Sequence, residues 1–178
     1  MRFPKCYNLK MSDISVGILT ISDRSARGER EDGCGPVLAE SVRERGWRVA
    51  ETAVVPDEID AIARRLKDWC DRPEALDVVL TSGGTGLGPR DVTPEATRSI
   101  LDREIPGLAE RIRREGEKSV ASAVLSRSVC GSRKSTLILN LPGSPRGAGE
   151  SFNCVANLLP HALDIMRGGD HPRPPQGS

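Results

Sequence analysis

Aromatic residues are scarce in this 178-residue chain, which has one Tyr, two Phe and two Trp. So few rings exclude a base-stacking platform of the kind that grips single-stranded nucleic acid. An excess of one charge is missing too, because 26 Lys and Arg stand against 25 Asp and Glu for a formal net charge of +1. That balance speaks against a protein that coats DNA or RNA, while leaving room for a local anion site. The only histidines, His161 and His171, supply no catalytic triad and no His-based metal cluster. The five cysteines (Cys6, Cys34, Cys70, Cys130 and Cys154) are odd in number and form no C-x-x-C pair. They indicate neither a disulfide framework nor a zinc site and fit a reducing cytoplasm. Apolar runs such as 78–80 and 137–139 fall far short of the roughly 18 residues of a membrane span. The basic start MRFPKCYNLKMSDIS lacks the apolar core of a secretory signal.

What is present is the composition of a globular domain, with 37% hydrophobic and 29% charged residues. Residues 15–22 (SVGILTIS) read as a buried strand followed by a polar loop over 23–31. A helix opens near Pro36 and stops at Gly46. A second strand spans 47–55, and the spacing of Ile59, Ile62, Ala63, Leu66, Trp69 and Cys70 predicts a helix with one apolar stripe. A third strand over 76–81 runs into a glycine loop. Thr93-Pro94-Glu95 then reads as the start of a helix, with threonine as its cap. A short helix is expected from Leu108 to about Glu117. Segments 121–127 and 135–141 read as short strands, forming a hairpin or returning one member to the main sheet. Residues 143–149 read as a glycine-rich loop, followed by a helix over 150–166 that Pro160 kinks or breaks. This alternation predicts an α/β fold, a three-layer αβα sandwich around a mostly parallel sheet. Residues 14–167 are expected to form the one domain, with 1–13 a disordered extension in which Met11 is an alternative start. A flexible tail is expected over 168–178.

In such sheets ligands gather beyond the carboxyl ends of the strands. Three strand ends deliver polar or glycine residues there: 20–23, 55–58 and 80–86. The run from Ser82 to Gly88 contains Gly83, Gly84, Gly86 and Gly88, which suits close approach of backbone N–H groups to phosphate. It matches neither a P-loop nor a G-x-G-x-x-G fingerprint. Asp57 and Asp91 fall at the same sheet edge, and paired carboxylates beside a phosphate loop suit magnesium held jointly with phosphate oxygens. Both also suit local roles, Asp57 as a helix cap and Asp91 as a turn residue. Arg24, Arg90, Arg127 and Arg146 are the candidate polyanion clamps, with Arg90 and Arg146 favoured because they read as loop residues. Arg111, Arg113 and Arg114 read as a solvated charge run.

The segments LTISDRSARGEREDGCGP, VVPDEIDAI, VLTSGGTGLGPRDVTPEAT, REIPGL, LSRSVCG and LILNLPGSP together resemble the molybdenum-cofactor biosynthesis protein family. Its members include molybdopterin adenylyltransferases, MoaB-type proteins and the G domain of fusion proteins such as gephyrin. The resemblance runs from about Ser15 to Met166. It implies a cytoplasmic homotrimer that transfers AMP from ATP to the molybdopterin phosphate and releases pyrophosphate, with magnesium assisting. A molybdenum insertion protein is the implied further partner. Membrane and nucleic acid are not implied. By resemblance Asp57 and Asp91 are the catalytic, metal-holding carboxylates. Asp23, Ser82, Gly83, Gly84, Thr85, Gly86, Arg90, Asn140, Pro142, Gly143 and Ser144 are substrate-binding. The stretch Gly116–Ala123 departs from the family's pattern by lacking a T-P pair. A MoaB-type pterin-binding protein without turnover and a trimeric scaffold are the two other roles the resemblance allows.

Overall fold

Strands β1 (Ser15–Ile21), β3 (Val78–Ser82) and β6 (Thr136–Leu141) are buried along their whole length in the computed structural model, which describes residues 14–169. Continuous apolar runs of this kind belong at the centre of a sheet covered on both faces. The sheet accordingly runs β2 (Arg48–Val55), β1, β3, β6, β5 (Cys130–Arg133), β4 (Arg103–Glu104). Pairings among β2, β1, β3 and β6 are parallel, and β5 and β4 add an antiparallel edge.

Alternation along the strands builds two cores. Val16 and Ile18, Val78 and Leu80, and Leu137, Leu139 and Leu141 face one layer of helices. That layer holds α2 (Cys34–Glu44), α5 (Pro106–Glu117), α6 (Pro145–Ala156) and α7 (Leu159–Met166), and includes Leu38, Ile112, Phe152 and Leu163. Leu19, Ile21, Val79 and Ile138 face the other way, against Ile62, Leu66 and Trp69 of α3 (Ile59–Asp71) and Ala96 of α4 (Thr93–Arg98). The result is the expected αβα sandwich. Among the described residues no helix is long and apolar enough to cross a membrane. The expected extension over 1–13, the alternative start Met11 and the tail from 170 onward lie outside the described residues.

Several local expectations need correction. The loop over 23–31 contains a one-turn helix, α1 (Asp23–Ala26), capped by the Ser22 side chain. Segment 121–127 is not a strand: Ala121–Leu125 forms a 3-10 helix, and the hairpin partner of β6 is β5. Residues 143–149 are not one loop, because α6 begins at Pro145, with Ser144 capping it through Gly147 N–H. The stretch 150–166 is two helices, α6 and α7, and Pro160 stands in the first turn of α7, where its missing N–H costs nothing. Thr93 does not cap α4. Val92 is the cap residue, and the Thr93 hydroxyl donates to Gly83 O at 2.8 Å.

Candidate functional site

The connection leaving β1 leads to β2 on one side of it, while the connections leaving β2 and β3 lead the other way across the sheet. The crevice between the carboxyl ends of β1 and β3 is therefore the topological switch point, where open α/β sheets bind ligands. Ile21 of β1 is in register with Val55 of β2, and Ser82 of β3 with Leu141 of β6. The chain thus brings Asp23, Asp57, the 83–91 loop and the 142–144 segment to one sheet edge. Because β5 runs antiparallel, the residues before Cys130, including Arg127, reach the same edge.

The glycine loop is tightly bound into the edge. Gly83 has φ +109° and Gly84 φ +62°, both in the left-handed region that favours glycine. A Cβ on Gly83 would stand 2.3 Å from Ile21 O, and one on Gly84 would stand 2.4 Å from Thr93 Oγ1 and 3.2 Å from Asp57 Oδ1. The loop therefore passes directly against Asp57. Gly143 packs on Gly83, its own Cβ position lying 3.2 Å from Gly83 Cα, so the two loops meet there.

Asp23 and Asp57 hold one another. Asp57 Oδ2 accepts the Asp23 N–H at 2.7 Å, and Asp23 Oδ1 accepts the Asp57 N–H at 3.1 Å. Arg90 then donates two bonds to Asp23, Nε to Oδ2 at 3.0 Å and Nη2 to Oδ1 at 2.9 Å. The Arg90 guanidinium holds the Asp23 carboxyl below its ordinary range. Burial pushes Asp57 above its ordinary value, the Asp23 N–H opposes this, and the charges of Asp23 and Asp91 add to the rise. Asp91 Oδ2 accepts the Gly88 N–H at 2.8 Å. Among the described residues no hydrogen bond reaches Oδ1 of Asp57 or of Asp91, which leaves each with a hard anionic oxygen to offer.

Two cavities flank this line of residues and share Gly143. One, of about 490 Å³, lies between the Thr85–Leu87 loop, Arg113 and Gly116 of α5, the 3-10 helix and the start of α6. The other, of about 200 Å³, is polar and sits at the switch point, lined by Ser22, Asp32, Cys34, Asp57, Ser82 and Gly84 among others. Thr85, Gly86, Pro142 and Ser144 line the larger cavity, and Gly83 the smaller. Ser82 donates to Pro142 O at 2.9 Å and so ties the two loops.

Three expected site residues have their polar groups engaged within the protein. Asn140 is fully buried and stands in the lining of neither cavity. Its amide donates to the Thr81 and Thr97 hydroxyls at 2.9 and 3.0 Å, and its Oδ1 accepts the Val129 N–H at 3.3 Å. Arg146 is not a loop residue. It lies in the first turn of α6, 80% exposed, paired with Glu150 at 2.7 Å, and both residues line the larger cavity. Asp23 has both oxygens occupied by Asp57 and Arg90.

Sequence reasoning passed over Asp32, which accepts Thr20 Oγ1 at 2.7 Å and the N–H groups of Cys34 and Gly35 at the start of α2. Its signal was an acidic residue just before a helix start, inside DGCGP. Arg113 is also not part of a solvated charge run. Arg113 is half-buried, donates to the carbonyls of Ser126 and Ser128, and lines the larger cavity. Gly116, Ser119, Val120, Ser122 and Ala123, the stretch that departs from the family pattern, line that cavity as well. No periodic signal marks them.

The sequence matches, over residues 17–161, the family described as "Probable molybdopterin binding domain". It is 46% identical over 160 residues to the molybdenum cofactor synthesis protein cinnamon of Drosophila melanogaster, covering 88% of this chain and 26% of that protein. The chain thus spans about a quarter of that relative's length. It is 38% identical over 160 residues to the molybdopterin adenylyltransferase of Helicobacter pylori (strain J99), covering 89% of this chain and 90% of the enzyme. Among solved structures, the molybdopterin biosynthesis enzyme MoaB of Thermus thermophilus superposes with a TM-score of 0.82 at 53% identity, covering 87% of this chain and 97% of that one.

Proposed function

The chain belongs to the molybdopterin-binding domain family, and from that membership we propose that it is a molybdopterin adenylyltransferase of molybdenum-cofactor biosynthesis, transferring AMP from ATP to the terminal phosphate of molybdopterin. The observation that carries the reading is the convergence of Asp57 and Asp91 on the glycine loop, where two cavities meet at Gly143. A cavity of about 490 Å³ has the size of a small-molecule site. The smaller polar cavity, at the switch point beside Asp57, suits part of the nucleotide.

The chemistry asks little covalent work of the protein. A phosphate oxygen of the pterin attacks the α-phosphorus of ATP, the bond from that phosphorus to the bridging oxygen breaks, and pyrophosphate leaves with the bonding pair. The nucleophile is already an anion, so no strong general base is needed. The protein's part is positioning and charge neutralisation. The Gly83 N–H is taken by Leu141 O, so the amides of Gly84–Gly86 are the ones left to meet the phosphates, and Arg90, exposed over Asp23 and the edge, supplies positive charge. Asp23 acts through Asp57, whose backbone and carboxylate it fixes.

Magnesium fits the donor set. Among the described residues no three His, Cys, Asp or Glu side chains gather into a metal cage. Asp57 and Asp91 each keep one unbonded oxygen, and magnesium is commonly held by one or two carboxylates completed by phosphate oxygens and water. Asp57 and Asp91 would hold it, and the ion would supply neutralisation of charge on the reacting phosphates.

The protein is further read as a cytoplasmic homotrimer that delivers its product to a molybdenum insertion protein. Release of pyrophosphate from Mg-ATP that depends on added molybdopterin tests the catalytic reading. Pterin binding without pyrophosphate would leave a pterin-binding protein instead.

A further inference from the structure

We propose that Arg127 is a positioning residue for this reaction: it locks the 85–91 loop in the shape that presents the Asp91 carboxylate beside Asp57. The inference rests on the adenylyltransferase reading above and adds to it a residue outside the lining of both site cavities.

Four bonds tie this one residue to the loop and to the helix that follows it. Its N–H donates to Thr85 O at 2.9 Å, and its Nε to Gly86 O at 2.7 Å. Its Nη2 donates to Asp91 O and its Nη1 to Glu95 of α4. Both ends of the 85–91 segment are thereby fixed from across the sheet edge. Within the loop itself the Gly88–Asp91 turn is closed by the Asp91 N–H to Gly88 O at 3.0 Å and the Gly88 N–H to Asp91 Oδ2 at 2.8 Å, but no strand or helix runs through it, so Arg127 is what ties that turn to the sheet edge.

Asp91 moves with that loop. Its Oδ2 accepts the Gly88 N–H, and Cβ atoms on Gly86 and Gly88 would stand only 2.9 and 2.8 Å from the same oxygen. The carboxylate is folded inside the curve of the loop, so any shift of the loop shifts the carboxylate. Arginine suits the task because its planar fork offers donors in several fixed directions. Lysine concentrates its donors on one nitrogen and cannot reach Gly86 O, Asp91 O and Glu95 together. All three guanidinium nitrogens of Arg127 are engaged, by Gly86 O, Glu95 and Asp91 O, whereas among the described residues Nη1 of Arg90 has no partner, which distinguishes this role from clamping a substrate phosphate.

The test uses the whole protein carrying Arg127→Lys, with Arg127→Ala as a second variant. Hydrogen exchange of the 85–91 amides is expected to rise about tenfold or more in both variants, while β6 keeps its protection. The magnesium concentration for half-maximal adenylylation is expected to rise by about tenfold, with guanidinium ion partly restoring the wild-type value in Arg127→Ala. Unchanged exchange over 85–91, or an unchanged magnesium requirement, overturns the proposal. Equal loss of protection in the loop and in β6 overturns it too, because Arg127 would then be holding the whole domain. If the wild-type protein forms no adenylylated pterin, the functional reading fails, and the exchange measurement still decides whether Arg127 fixes the loop.

Discussion

Asp23 and Asp57 are joined by a reciprocal pair of hydrogen bonds, each carboxylate accepting the other's backbone N–H, at 2.7 and 3.1 Å. Residues 34 positions apart are thereby locked where β1 and β2 end side by side. The pair engages one oxygen of each carboxylate, and Arg90 takes the other oxygen of Asp23, so of the two only Asp57 keeps an oxygen unbonded among the described residues. It also places a second negative charge against a half-buried carboxylate, which is costly for folding and useful for holding a cation.

Asp57→Asn and Asp91→Asn should each leave the fold intact and lower the adenylylation rate by about 100-fold or more, the loss of a charged cation ligand. An asparagine oxygen can still accept the Asp23 or Gly88 N–H, so circular dichroism should match wild type. Wild-type rates across a magnesium titration in both variants would remove the two carboxylates from the chemistry. Activity retained only in Asp57→Asn would leave Asp91 alone in the role.

The titration of Asp57 gives a stability prediction of definite sign. Its folded pKa lies above the ordinary 3.8, so the folded protein holds this proton more tightly than the unfolded chain does. Ionised Asp57 is therefore a cost to stability above its folded pKa, and the cost is relieved as pH falls through that pKa. Asp57→Asn should melt above wild type at pH 7, with the gap closing on acidification through the carboxylate range. Thermal melts from about pH 7 down to about pH 3 check this. A variant less stable at pH 7 whose deficit shrinks in acid would mean that the ionised form is favoured by folding.

Asn140 should prove structural. Asn140→Ala leaves the Thr81 and Thr97 hydroxyls and the Val129 N–H without their buried partner, a loss of about 2–4 kcal/mol. Its melting temperature should fall, while pterin affinity well below the melt stays near wild type. Full stability with lost pterin binding would place Asn140 in contact with substrate.

How much of this was legible beforehand follows from what each residue answers to. The strands are readable as short apolar runs such as Val16–Ile21, and the α3 stripe because burial of one face imposes a period on Ile62, Leu66 and Trp69. The sheet edge that gathers Asp23, Asp57 and Asp91 followed from parallel topology. The misread stretches lack such a period. Residues 121–125 (ASAVL) are mostly small and lie largely exposed along the cavity wall, so no buried face imposes a strand period on them. Residues 145–149 are rich in glycine, yet Ser144 caps them and Ala148 and Gly149 pack into the core, so they are helical. The role of Arg127 depends on acceptors 32 to 42 residues away, and a local pattern carries no trace of them.

Assembly as a homotrimer is an expectation of the functional reading. Sedimentation equilibrium at micromolar protein should return about three times the monomer mass. A single monomeric species would contradict it.

The most direct test of the central claim is mass spectrometry of the pterin after incubation of the purified protein with molybdopterin, ATP and magnesium, with Asp91→Asn in parallel. The account predicts a gain of one AMP unit per molybdopterin, matched by one pyrophosphate, with wild-type protein and little or none with the variant. Molybdopterin recovered unmodified with wild-type protein, or adenylylated equally by the variant, would contradict it.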